Sequence, residues 1–228
     1  MNKDVFGFWQ IEKAKYTAKG FPVIHGTQKI PEEIVLFTNM NKETSLIHAE
    51  TKSIHSYQYD YLFEPAFSNK TKLLKKLETL RKYQSIILPD FSVYFDMPLP
   101  MQQMQIYKSR AAGNFLMQND IPIIPNIRWS TEQSYSFCFE GIDKNALVAV
   151  GSYGAFGNNR NKFYFEAGFY KMIEVLEPSA ILIYGFLSDA LKNECRLHKI
   201  WFKEFATEQH KYRTKEKNNY YRSDLFFE

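Results

Sequence analysis

The residues best suited to chemistry stand where apolar runs break. Asp90 directly follows Ser85-Ile-Ile-Leu-Pro89, and a carboxylate in that place can act as a general base, ligate Mg²⁺ or anchor a substrate hydroxyl. The plainer alternative is an Asx-turn on its own backbone. Asp96, ahead of Met-Pro-Leu-Pro, is either a second carboxylate or the N-terminal cap of a following helix. Arg128 and Trp129 close the run IIPNIRW. There a guanidinium can fork onto a phosphate or carboxylate and an indole offers a stacking face, or Arg128 can pair with Asp90 as a purely structural ion pair. In GSYGAFG, residues 151 to 157, Gly151, Ser152, Gly154 and Gly157 lie between an apolar run and a helical pattern, where backbone N–H groups cradle phosphates in nucleotide-binding folds. The G-x-x-G-x-x-G spacing is neither the dinucleotide fingerprint nor a Walker A loop. Phosphate binding there rests on position and on the nearby Arg160 and Lys162.

Other chemistries lack their residues. His25, His48, His55, His198 and His210 form no His-x-His or HExxH pair, so a histidine metal centre has no support, whereas carboxylate-held Mg²⁺ would be admitted. Cys138 and Cys195 form no CxxC pair, which excludes a disulfide framework and a cysteine-rich zinc site. No GxSxG nucleophile elbow occurs.

The elements that must position these residues alternate. Strands are expected at Ile34 to Thr38, Ser53 to Asp60, Ser85 to Leu88, residues 121 to 129, Ala146 to Val150 and Ala180 to Tyr184. Leu73, Leu74, Leu77 and Leu80 are spaced for a helix over Lys70 to Lys82, and Met104, Tyr107, Ala111 and Phe115 for one over Leu99 to Asn119. Ser130 to Gln133 reads as a capping box for a helix reaching Glu140 and ended by Gly141, and Lys162 to Leu176 reads as another helix. Nearly continuous apolar strands separated by helices predict an α/β fold with a mainly parallel sheet. Six strands fall short of a complete eight-stranded barrel, leaving an open doubly wound sheet or an incomplete TIM-like barrel. In either, functional residues gather at the carboxyl ends of the strands.

The chain has 228 residues, 45% hydrophobic and 24% charged, with a formal charge of +4 and an aromatic share of 17%. That suits one soluble α/β domain, taken as residues 1 to 206, followed by a basic, tyrosine-rich tail over 207 to 228. With no apolar leader pattern near the N-terminus and no long apolar span, the expected location is the cytoplasm, without a membrane partner.

In order and spacing, LPDFSVYFDMPLPMQ, YKSRAAGNF, IPIIPNIRWSTEQSYSFCFEGI, VAVGSYGAF and EPSAILIYG resemble an uncharacterised family from bacteria, their phages and mobile elements, known as a domain of unknown function. The resemblance spans about residues 30 to 186. It implies a mobile-element or phage-related protein and places Asp90, Asp96, Arg110, Arg128 and Glu140 in the family's motifs. Some members are labelled rolling-circle replication proteins, a chemistry that needs a His-hydrophobe-His metal pair missing here. The resulting expectation is a strand-end cleft that binds a nucleotide or nucleic acid and performs hydrolase, nuclease-like or transferase chemistry. Asp90, Asp96 and Glu140 would be its catalytic carboxylates, and Arg110, Arg128, Trp129 and the 151 to 157 loop its substrate contacts. The alternative is a non-catalytic protein that engages host protein or DNA.

Overall fold

The computed structural model describes residues 7–212; the part of the expected tail from 213 onward lies outside them. Seven strands alternate with helices. They are β1 (Glu33–Leu36), β2 (Lys52–His55), β3 (Ser85–Ile87), β4 (Ile123–Ile124), β5 (Leu147–Gly151), β6 (Ala180–Tyr184) and β7 (Trp201–Phe205). The helices are the single turns α1 (Glu43–Leu46) and α2 (Glu64–Phe67), then α3 (Lys70–Leu80), α4 (Leu99–Gln118), α5 (Asn159–Leu176) and α6 (Asp189–Leu197).

All ladders are parallel and follow chain order, β1-β2-β3-β4 in one sheet and β5-β6-β7 in the other. A parallel bridge between Asn126 and Ala149 joins the two, because the Ile127 and Ala149 amides donate to the Ala149 and Pro125 carbonyls at 2.8 Å. Alternate residues of a strand face opposite sides, and the core divides accordingly. One set, including Ile34, Ile87, Ile124, Leu147, Leu182 and Phe205, packs together as an inner cluster drawn from six of the seven strands, with Tyr57 following the seventh, β2. The opposite set faces helices. Ile54, Ile86 and Ile123 meet α3 and α4, while Val148, Val150, Ile181 and Ile183 meet α5 and α6.

Strands in chain order, packed against one another inside and covered by helices outside, form the layout of an incomplete barrel. A doubly wound sheet would reverse its strand order at a switch point and carry helices on both faces. Between β7 and β1, Lys203 Nζ donates to the Pro31 and Glu32 carbonyls at 3.0 and 2.8 Å.

Local chemistry sets the helix starts. The Asn69 side chain accepts from the Lys72 amide and begins α3, whose Leu73, Leu77 and Leu80 are buried. Asn158 does the same for α5 through Asn161. Five expectations need correction. The strand expected over Ser53 to Asp60 ends at His55, and Asp60 opens a 3₁₀ turn. WFKEF was not expected to be a strand, yet it forms β7, with Phe205 turned inward. The strand over 121 to 129 shrinks to two ladder residues between Pro122 and Pro125, since proline offers no N–H to a ladder. Residues 130 to 140 make only a 3₁₀ turn, Glu132–Ser136. There the Ser130 hydroxyl goes to Gln102 of α4 and its amide to Ser134 Oγ, so no capping box forms. Asp96 is exposed and caps nothing: α4 begins after Pro98 without a side-chain cap. No helix of the described residues is long and apolar enough to cross a membrane.

Candidate functional site

Beyond the carboxyl ends of β2, β3 and β4, inward-facing side chains form one hydrogen-bonded line. The Tyr57 hydroxyl donates to Asn126 Oδ1 at 2.8 Å, and Asn126 Nδ2 donates to Asp90 Oδ1 at 2.8 Å. Arg128 Nη1 donates to Asp90 Oδ2 at 3.2 Å. Each Asp90 oxygen therefore has one donor, and the carboxylate is only 12% exposed. Burial raises its pKa above the usual carboxylate value. Arg128 and the Asn126 bond pull it down, and the nearby charge of Asp60 adds to the rise. Tyr57 is held well above the ordinary phenol value, chiefly by burial and then by Asp90, so it stays a donor. Asp60, which opens the 3₁₀ turn that follows β2, accepts from the Ser92 amide at 3.0 Å and from its hydroxyl at 2.8 Å. These bonds pin the loop that carries Asp90 to the turn that follows β2.

Aromatic packing supports the line from within the barrel. Tyr57 stacks on Tyr184 with centroids 4.8 Å apart and planes at 7°. Gly151 leaves room for this, since a Cβ there would meet the Tyr57 ring at 2.9 Å. His55 lies against both rings, and its Nδ1 accepts from the Tyr57 amide at 3.3 Å. The proton of the neutral ring is thus on Nε2, which has no hydrogen-bond partner among the described residues. Burial, with Lys211 as a smaller cause, lowers the His55 pKa to about 3.

Beside this line opens a cleft of about 260 Å³, lined among others by Tyr94, Phe95, Arg128, Trp129, Tyr153 and Tyr164. Gly151 and Gly154 also border it, and Ser130 and Asn161 add polar edges. Arg128 is 27% exposed, and among the described residues its guanidinium has Asp90 as its one hydrogen-bonded partner. Its remaining N–H groups are therefore free to fork onto a phosphate or carboxylate.

The structure thus gathers Asp90, Arg128, Trp129, Gly151 and Gly154, but it does not bring every sequence candidate with them. Arg110 is fully buried. Its Nε, Nη2 and Nη1 donate to the carbonyls of Glu140, Cys138 and Asn126 at 3.0, 2.9 and 3.3 Å. It braces the backbone beneath the site and is not placed to hold a phosphate. Glu140 offers Arg110 its carbonyl, and its carboxylate pairs with Lys19 at 3.0 Å, away from the cleft. Asp96 is exposed and does not border the cleft. Trp129 is a wall rather than an open platform. Its indole N–H donates to the Tyr164 carbonyl at 3.1 Å, and Gly168 packs so closely that a Cβ would lie 2.1 Å from the ring nitrogen. Ser152 is buried and accepts from the Phe186 amide at 2.9 Å, tying the ends of β5 and β6 together. Gly154 takes a left-handed φ of 79° in a turn, and Gly157 closes that turn on the Gly154 carbonyl. No group of three or more His, Cys, Asp or Glu that could hold a metal occurs among the described residues.

Asn126, Tyr57, Tyr94, Phe95 and Tyr164 are members that sequence reasoning passed over. A signal existed for Asn126: Ile124, Asn126 and Arg128 are two apart, which puts them on one face of an extended segment.

A family model described as "Domain of unknown function (DUF4417)" matches residues 14–205. Two proteins called Gene 1 protein, from Mycobacterium phages D29 and L5, are each 28% identical to the chain over 171 residues, or 75% of it. The match covers 62% of the D29 protein and 73% of the L5 protein, so this chain spans less than two thirds of the former. No solved structure matches it.

Proposed function

The chain belongs to the DUF4417 family, and we propose that it is a phage or mobile-element protein that binds an anionic nucleotide or nucleic-acid substrate in the cleft beside Asp90. The observation that supports this most is Arg128, a half-buried guanidinium with one neutralising partner on a cleft walled in large part by aromatic rings. Phosphate would meet the outer N–H groups of Arg128, and a base would lie against Tyr94, Phe95 or Tyr153. Asp90 orients Arg128 in the free protein. A phosphate on the outer N–H groups would share the guanidinium's charge with Asp90, and a carboxyl already raised by burial would become a better proton acceptor. That is the route by which the site would support hydrolase, nuclease-like or transferase chemistry.

Calorimetric titration of nucleoside mono- and triphosphates and short single strands into wild type and Arg128→Gln tests the reading. A hydrogen-bonded charge contributes about 1.5–3 kcal/mol, so the variant should bind about 10- to 150-fold more weakly. If wild type binds none of these ligands, the reading fails.

A further inference from the structure

The geometry points to a single-stranded nucleic acid several nucleotides long, laid across the carboxyl ends of the strands, as the substrate class of this site. The inference rests on the cleft reading above and extends it. Tyr59, Tyr61, Tyr94, Tyr153, Phe163 and Phe186 are each more than half exposed. All lie on segments that follow the carboxyl ends of β2, β3, β5 or β6. Tyr59 and Tyr61 stack on each other with centroids 5.7 Å apart and planes at 13°. The Asp60 carboxylate between them holds Ser92, so the pair stands beside the loop bearing Tyr94 and Phe95. Phe95 lies 6.3 Å from Tyr164 across the cleft, with planes at 26°, and beyond it Phe156 stacks on Phe186 at 4.8 Å and 20°.

Exposed rings on one face serve a protein partner as well as a nucleic acid, so the cations decide. Arg160 is exposed and lies over the Phe95 ring at 4.2 Å. Among the described residues it has no carboxylate partner, and Arg128 within the cleft has only Asp90. A cation resting on an aromatic face at the lip of an aromatic cleft is how proteins track a phosphate backbone while stacking its bases. Bases paired and stacked in a duplex keep their faces from such rings, which leaves the unpaired strand. One OB-type site covers roughly 4 to 16 nucleotides, and a face carrying rings from four of the strand ends suits a tract in that range.

The test is fluorescence anisotropy with labelled twelve-residue oligo(dT) and oligo(U), against dTMP, UMP and a twelve-base-pair duplex, on wild type, Tyr59→Ala/Tyr61→Ala and Arg160→Gln. Thermal melting checks that each variant is folded. The single strands should bind at least about tenfold tighter than the mononucleotides and the duplex. The tyrosine double variant should lose on the order of tenfold or more for the strands and nothing for mononucleotides. Arg160→Gln should lower the slope of log affinity against log salt by about 0.7. Strands that bind no tighter than mononucleotides, or that bind the folded double variant as well as wild type, overturn this inference and leave the cleft reading standing. Wild type that binds neither the mononucleotides nor the single strands sinks the cleft reading, and this inference with it.

Discussion

Arg110→Met should damage the fold and spare the cleft. The guanidinium is 0% exposed and donates three bonds to the carbonyls of Glu140, Cys138 and Asn126. Burial lowers its pKa only to about 10, so it is a cation at neutral pH. Methionine keeps most of the apolar stem but leaves all three carbonyls without that donor. A buried polar group left unpaired costs about 1–3 kcal/mol; carbonyls, with two lone pairs, fall toward the lower figure. The three sum to about 3 kcal/mol or more, and relief from burying a charge offsets part of any larger loss. For a native stability of about 5–15 kcal/mol, that is a large fraction. At about 2–4 °C per kcal/mol for a chain of this size, the melting point should fall by about 6–12 °C. Urea unfolding followed by circular dichroism and tryptophan fluorescence gives the free energy directly. Ligand binding per folded molecule should stay within about twofold of wild type. A variant as stable as wild type that loses binding would refute the reasoning and make Arg110 a substrate contact after all.

Two titrations carry further expectations. The pKa of Asp90 is raised in the folded state, so the native protein holds this proton more tightly than the unfolded chain does. Stability therefore falls as pH rises from about 4, the ordinary carboxyl value, through the raised one. Relative to wild type, Asp90→Asn should gain in melting temperature as pH rises over that window, and a difference that shrinks instead contradicts the assignment. For His55 the pKa is lowered to about 3, and the unfolded chain binds the proton more readily between about 3 and 6.5. Wild type should thus lose stability as pH falls through that window. His55→Phe keeps a ring against Tyr57 and Tyr184 and should flatten the loss in urea titrations at pH 4 to 6.5; parallel profiles would refute it.

The alternation of strands and helices was legible because the sheet is buried from both sides. Runs such as SIIL, ALVAV and AILIY need no partner to be recognised. WFKEF was missed because Trp201 is half exposed and Lys203 and Glu204 interrupt the apolar pattern, although Phe205 still faces inward. The capping-box signature at Ser130 was misleading for a tertiary reason: Gln102, 28 residues away, claims the hydroxyl that would have capped a helix. At the site, the positions of Asp90 and Arg128 followed from the rule that strand ends carry function, and their ion pair was one of two readings open in the sequence. What separates Arg110 from Arg128 is burial. Both are arginines in the motifs that carry the family resemblance, but one spends its donors on backbone carbonyls and the other keeps most of them for the cleft. That difference is set by folding contacts far apart in sequence, as is the capture of Trp129 by Gly168 and Tyr164.

The most direct test is a crystal structure of the protein soaked with a nucleoside monophosphate. Phosphate oxygens should lie within about 3.2 Å of Arg128 nitrogens, a hydrogen-bonding distance, with the base against Tyr94, Phe95 or Tyr153. Density for the nucleotide elsewhere on the molecule, with Arg128 still bonded only to Asp90, would contradict it.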